Sequence, residues 1–234
     1  MRFSSLSGAG RGDGRHGRWF VLVFLCVALV LVVVPAVSLA WGSSPTVTLK
    51  ASPTSVVAGQ TVKFTASVTS CPAGATVTLQ SKGSSGSWVN VNTAPVKSGV
   101  AMFKVAVMRN ASYQAILKWS HSSVTSKAVC VKVTAKLTLC VKPAQYGGVA
   151  ISGSLVPGWA GGKVTVTVAQ IVHCNRLNVV ATLTVPLTQG PGDSSVFATS
   201  WTNAHYGHGT FVITVKVAKT ADFAGACASK MVKL

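Results

Sequence analysis

Glutamate is absent from this 234-residue chain, and aspartate occurs only at Asp13, Asp193 and Asp222. Glycosidases and metal-dependent hydrolases work through converging carboxylates, so this inventory counts heavily against such chemistry. No Gly-x-Ser-x-Gly elbow, paired Cys-x-x-Cys or His-Glu-x-x-His frame occurs either. An oriented base for a serine or cysteine nucleophile is therefore not signalled, and the chain is read as non-catalytic. Arginine is sparse past residue 40, with Arg109 and Arg176 alone, where nucleic-acid recognition would call for clustered arginine and exposed aromatics. Helical periodicity is missing too: no stretch after residue 44 keeps an apolar period of 3.6 over several turns.

What is present begins with an export segment. Arg2, Arg11, Arg15 and Arg18 precede an unbroken apolar run from Trp19 to Val34, which Pro35 ends ahead of Ser38-Leu39-Ala40. Small residues at Ser38 and Ala40 suit signal peptidase, so residues 1–40 read as a signal peptide. The alternative is an uncleaved anchor, because Trp19 to Trp41 supplies 23 mostly apolar residues, enough to span a bilayer. The arginines would then hold the amino end inside. Either way the remainder lies outside the membrane, extracellular or at the cell surface. With no Arg-Arg pair before the run, the general secretory route is expected.

Beyond Ala40 the composition turns to Thr, Val, Ser, Ala and Gly. Val62, Phe64, Ala66 and Val68 alternate with Thr61, Lys63, Thr65 and Ser67, the period of a half-buried strand. Ala101 to Val107, Tyr113 to Trp119, Val129 to Val133, Val164 to Val168 and Phe211 to Val217 repeat the pattern. Turn-formers separate them at Cys71-Pro72-Ala73-Gly74, Gly83-Ser84-Ser85-Gly86, Ser98-Gly99 and Arg109-Asn110. An internal echo relates Val47–Val68 to Leu137–Val156, each running strand, Pro, Gly, alternating strand. The prediction is all-β: two tandem β-sandwiches over 45–134 and 135–234, joined almost without linker at Thr134-Ala135-Lys136. Each copy, roughly 90 to 100 residues, is long enough to bury its own core with no metal or other cofactor.

The first copy resembles the bacterial immunoglobulin-like repeat domains of secreted and surface proteins. The resemblance rests on Leu49, Ser52-Pro53, Val57-Ala58-Gly59-Gln60-Thr61-Val62, the Gly74 to Leu79 strand, Gly86-Ser87-Trp88, and the strands at Gly99 to Phe103 and Tyr113. The second copy looks like a divergent repeat, with Gly147-Gly148-Val149 in place of that turn and Phe211 at the Tyr113 position. Family members serve as spacers, stalks or binding modules on cell surfaces, and the resemblance implies an immunoglobulin-like fold without catalytic residues. In an immunoglobulin-like strand order Cys71 and Cys130 fall at one end of the first sandwich, so they are expected to pair. Cys140 and Cys227 are expected to pair as parallel neighbours in the second, in keeping with an oxidising exterior. Cys174 is then odd and available to link a second copy or a partner.

Four residues could carry metal chemistry, His173, Cys174, His205 and His208, since they are of the types that zinc or copper prefers. A metal-binding protein or enzyme built on them is the alternative functional class. Trp88, Trp159 and Trp201 sit at turns or a strand end, where an aromatic either contacts a ligand or covers the open end of a core. Asn110-Ala111-Ser112 matches a glycan acceptor, and Asp193 in Gly190-Pro191-Gly192-Asp193 reads as a turn residue. Seventeen Lys and Arg face Asp193 and Asp222 past residue 40, a net charge of +15. Such an excess attracts polyanions and keeps sheet edges apart. The sequence thus points to an exported structural or binding module whose partners are anionic envelope or matrix polymers or another surface protein. Membrane contact is expected only through an uncleaved amino end.

Overall fold

The structure is a computed structural model that describes residues 43–203 and 205–234. The expected leader over residues 1–40 lies outside the described residues. Nine strands form the first half: β1 Thr46–Ser52, β2 Ser55–Val57, β3 Thr61–Thr69, β4 Thr76–Lys82, β5 Val89–Pro95, β6 Val100–Ala106, β7 Ala111–Trp119, β8 Ser122–Thr125 and β9 Val129–Thr134. Eight form the second: β10 Lys136–Ala144, β11 Gly148–Val156, β12 Lys163–Val172, β13 Arg176–Pro186, β14 Thr188–Gln189, β15 Ser195–Thr202, β16 Thr210–Val217 and β17 Ala226–Lys233. The helical turns among the described residues are two single 3-10 turns, Gln145–Gly147 and His173–Asn175.

Period-two alternation dictates the layers. In β3, Val62, Phe64, Ala66 and Val68 are buried while Thr61, Lys63 and Ser67 are exposed. That strand sits between β1 and β6, and its apolar face meets the sheet β2-β9-β7-β4-β5, with β8 paired to β7. Phe64 and Tyr113 close the gap between the sheets, their ring centroids 4.4 Å apart. The second half packs β10-β11-β15-β14 on β13-β12-β16-β17 around Val149, Ile151, Leu155, Val164, Val166, Val168, Phe197, Phe211 and Ile213. Both halves are immunoglobulin-like β-sandwiches, so the all-β tandem architecture read from the sequence is the one observed.

One glycine is required by packing. Gly153 pairs with Phe197 across β11 and β15 on the inward face, and a Cβ there would lie 2.1 Å from the Thr138 carbonyl oxygen and 2.6 Å from the Phe197 ring. The ring occupies the space that any side chain would need.

Thr134 ends β9 and Lys136 begins β10, with Ala135 buried between them. The cores divide at this point, the first including Val133 and the second Ala135. The segment before β17 then returns to the first sandwich. Ala224 N–H donates to the Val133 carbonyl at 2.7 Å, Ala135 N–H donates to the Ala224 carbonyl at 3.3 Å, and Thr134 and Ala224 form a parallel bridge. Backbone pairing across the junction makes residues 43–234 one compact unit.

Candidate functional site

The junction gathers both aspartates of the described residues. Arg109, in the β6–β7 turn of the first sandwich, donates to Asp193 Oδ1 at 2.7 Å and to Asp222 Oδ2 at 3.3 Å. It also donates to the Gly158 carbonyl at 3.4 Å. The two aspartates lie on different loops of the second sandwich, one before β15 and one before β17. Ser84 donates to the other oxygen of Asp222 at 2.7 Å. Asn110 completes the seam: its Nδ2 donates to the Ala221 carbonyl at 2.9 Å, its backbone N–H to the Asp222 carbonyl at 2.6 Å, and its Oδ1 accepts from Val133 N–H at 2.7 Å. With both ends of its amide engaged, the Asn110 of the acceptor sequence is a structural residue in this fold. Asp193 is more than the turn residue of the sequence reading, because it is an ion-pair partner of the other sandwich.

The electrostatic consequence is simple. Of the seventeen Lys and Arg among the described residues only Arg109 meets a side-chain carboxylate, and both carboxylates are taken by it, which leaves sixteen cations without one. Beside the seam lies a groove of about 260 Å³ lined by Lys82, Ser84, Asn110, Ser112, Cys130 and Lys132. An adjoining cavity of about 300 Å³ shares Asn110 and Lys132 and adds Lys219 and Thr220. Three lysines and three hydroxyls therefore converge where the two sandwiches meet. Charge scattered evenly in sequence becomes concentrated by the fold.

The tryptophans separate. Trp201 is a core residue with 9% of its surface exposed, packed 5.1 Å from Phe211 and 6.2 Å from Tyr206 between ring centroids. Of the two roles open to it, surface contact and core cover, it takes the second, since it shares the inward parity of Phe197 on β15. Trp159 is half-buried, edge-on to Phe223 at 6.1 Å, and covers Gly162, so it seals the junction end of the second core. Trp88 is half-buried just ahead of β5.

All five cysteines among the described residues are exposed free thiols. The expected Cys71–Cys130 pair does not fit the strand register. Cys130 faces Ser112, with Sγ 3.4 Å from its Oγ, and Ser112 faces Lys82 at the end of β4. Cys71 instead precedes Thr76 at the start of that strand, roughly 20 Å away at the rise of an extended chain. A disulfide needs Cα atoms within about 7 Å. Cys140 and Cys227 lie on exposed positions of β10 and β17. The two strands are edges of different sheets and not ladder neighbours, and both thiols are free.

His173, Cys174, His205 and His208 occupy two loops at the end of the second sandwich away from the junction, and all four are exposed. The Gln170 side chain reaches the Tyr206 carbonyl at 3.2 Å, which holds these loops side by side. Among the described residues, however, no group of three His, Cys, Asp or Glu is close enough to hold a metal ion. Cys174 itself has a left-handed backbone at φ 59°. Burial pushes the Tyr113 phenol above its ordinary range.

No family model matches the chain, and no curated protein does. Among solved structures it is similar to a tetra-tandem repeat in the extending region of a large adhesion protein, at 17% identity and a TM-score of 0.44 over 82% of this chain. The chain spans about half the length of that structure, 49%. A marsupial T cell receptor aligns at 12% identity and a TM-score of 0.31, over 79% of this chain and 98% of the receptor.

Proposed function

We propose that this chain is an exported, non-catalytic surface module that binds anionic polymers of the cell envelope or matrix, and that the groove at the junction is where they lie. The leader at residues 1–40 would carry it out by the general secretory route. One observation carries the reading: Lys82, Lys132 and Lys219 line the groove and its adjoining cavity, while Arg109 offsets one of the two nearby carboxylate charges, so positive charge is in excess there. A polymer of repeating negative charge matches a groove shared by Lys82, Lys132 and Lys219, with Ser84, Ser112 and Thr220 as hydroxyl donors. Fixing the two sandwiches as one body keeps these groups in register without an ordering cost on binding.

The test is retention on immobilised polyphosphate and on isolated envelopes. Lys82→Ala, Lys132→Ala and Lys219→Ala together are expected to lower retention far more than Lys50→Ala, Lys63→Ala and Lys104→Ala, which remove equal charge from the sheet β1-β3-β6. Equal losses would replace the groove by a general field effect. Failure of the unaltered protein to bind either material would sink the reading.

A further inference from the structure

We infer that the free edge of β13 is a self-association surface, along which a second copy of this chain adds antiparallel to extend the sheet β13-β12-β16-β17 across a two-fold axis. Unpaired sheet edges are blunted by lysine, proline or brevity because they otherwise template pairing. The other edges here show these devices. β1 carries Lys50, β6 Lys104, β10 Lys136 and Lys142, and β17 Lys230 and Lys233. β2, β8 and β14 have three, four and two residues. β5 ends in Pro95, and Asn92 Oδ1 takes the Thr93 N–H at 2.8 Å, removing an edge donor. β13 has such devices at its ends, Arg176 and Pro186, and a register shift against β12 at Val168–Ala169, but among the described residues it pairs with β12 alone and leaves nine uncharged residues, Leu177 to Val185, along the open edge.

The face behind that edge is also apolar where the edge is free. Val179, Ala169, Val212 and Met231 are successive register partners across all four strands, and Leu177 faces Ile171 beside them. Leu177 and Val179 are each 59% exposed and Met231 67%. A threonine and serine row follows, Thr182, Thr167, Thr214 and Ser229. Exposed apolar side chains aligned at a sheet edge mark a contact surface.

Charge selects the occupant. A chain carrying +15 past residue 40 has no acidic surface to offer a second copy, and its other edges of comparable length would bring lysines together. Along β13 two copies approach without that penalty, gain ladder hydrogen bonds, and join their apolar rows. The apolar rows alone cover only about 200 Å² at the spacing of four strands, well short of the roughly 800 Å² per partner of a stable face-to-face contact. Edge pairing, which adds backbone bonds to that area, is therefore favoured over stacking of the two faces.

Long-range repulsion between two basic molecules is screened by salt, so self-association is expected to strengthen as salt rises. That is opposite in sign to polyanion retention, and the two readings fail separately. Sedimentation equilibrium of the full chain, under reductant so that Cys174 cannot link copies, should show a monomer–dimer equilibrium that shifts toward dimer with salt. Val179→Lys and Thr182→Lys should each raise the dissociation constant about tenfold or more by placing like charges against the shared ladder. Met231→Lys, on the far edge of the same face, should leave it unchanged. A monomer at every salt concentration overturns the inference. So does a dimer indifferent to the β13 lysines, or one equally weakened by Met231→Lys. Thermal melts of the variants confirm that the folded protein is being compared.

Discussion

Arg109 and Asp193 meet at 2.7 Å across 84 residues of sequence, and Asp222 reaches the same guanidinium from a second loop. Three charges that could have been scattered on the surface instead fasten one sandwich to the other. Their side chains are about 40% exposed, so solvent screens the pairs and each contributes modestly. The backbone bonds at Ala224 and the Asn110 amide supply the remainder of the joint.

Arg109→Met should therefore cost about 1–2 kcal/mol, combining two screened ion pairs with the lost bond to Gly158. Solution scattering should report a broader range of inter-sandwich angles for this variant. An unchanged scattering profile and melting curve would mean that the charges are incidental to the joint.

Gly153→Ala forces a Cβ into the Thr138 carbonyl and the Phe197 ring. Backbone and a packed aromatic would both have to move, so a loss of about 2–4 kcal/mol is expected in denaturant unfolding. Gly192→Ala, where a Cβ would meet nothing within 4 Å, should cost less, its φ of +61° contributing about 1 kcal/mol of strain.

Trp201→Ala should destabilise by about 3–5 kcal/mol as a cavity mutation, while retention on polyphosphate of the fraction that stays folded is unaltered. A selective loss of retention with unchanged stability would return Trp201 to the surface.

Tyr113 gives the chain an alkaline limit. Burial raises its folded pKa above the unfolded value, so the folded state holds its proton longer. Stability from this group is fully present below about pH 10, the unfolded value, and is lost as pH rises through the higher folded one. Tyr113→Phe should remove that part of the alkaline slope, measured as the difference between the two unfolding curves above pH 10.

Much of the fold was legible because period-two alternation survives in almost every core strand: Val62 to Val68, Val164 to Val168 and Phe211 to Val217 are buried on the face their spacing predicts. The sequence leaves Trp201 between two roles, ligand contact and core cover, although its parity with Phe197 on β15 already points inward. The cysteines misled because position along the chain says which loop a residue occupies, whereas a bridge depends on which end of β4 that loop meets. The junction could not be seen at all. Asp193 lies in a turn-forming sequence, and nothing local reveals that its partner is an arginine of the other sandwich. The groove was equally hidden, since Lys82 and Lys132 are brought near each other by the β4–β7–β9 pairing of the first sandwich and Lys219 joins them from across the seam.

The central claim is that the lysines at the seam form an anion-binding groove, and salt titration of retention on polyphosphate tests it most directly. The account predicts retention that falls steeply as salt screens the charges, with a shallower dependence once Lys82, Lys132 and Lys219 are alanine. Retention indifferent to salt, or a slope untouched by those three substitutions, would contradict it.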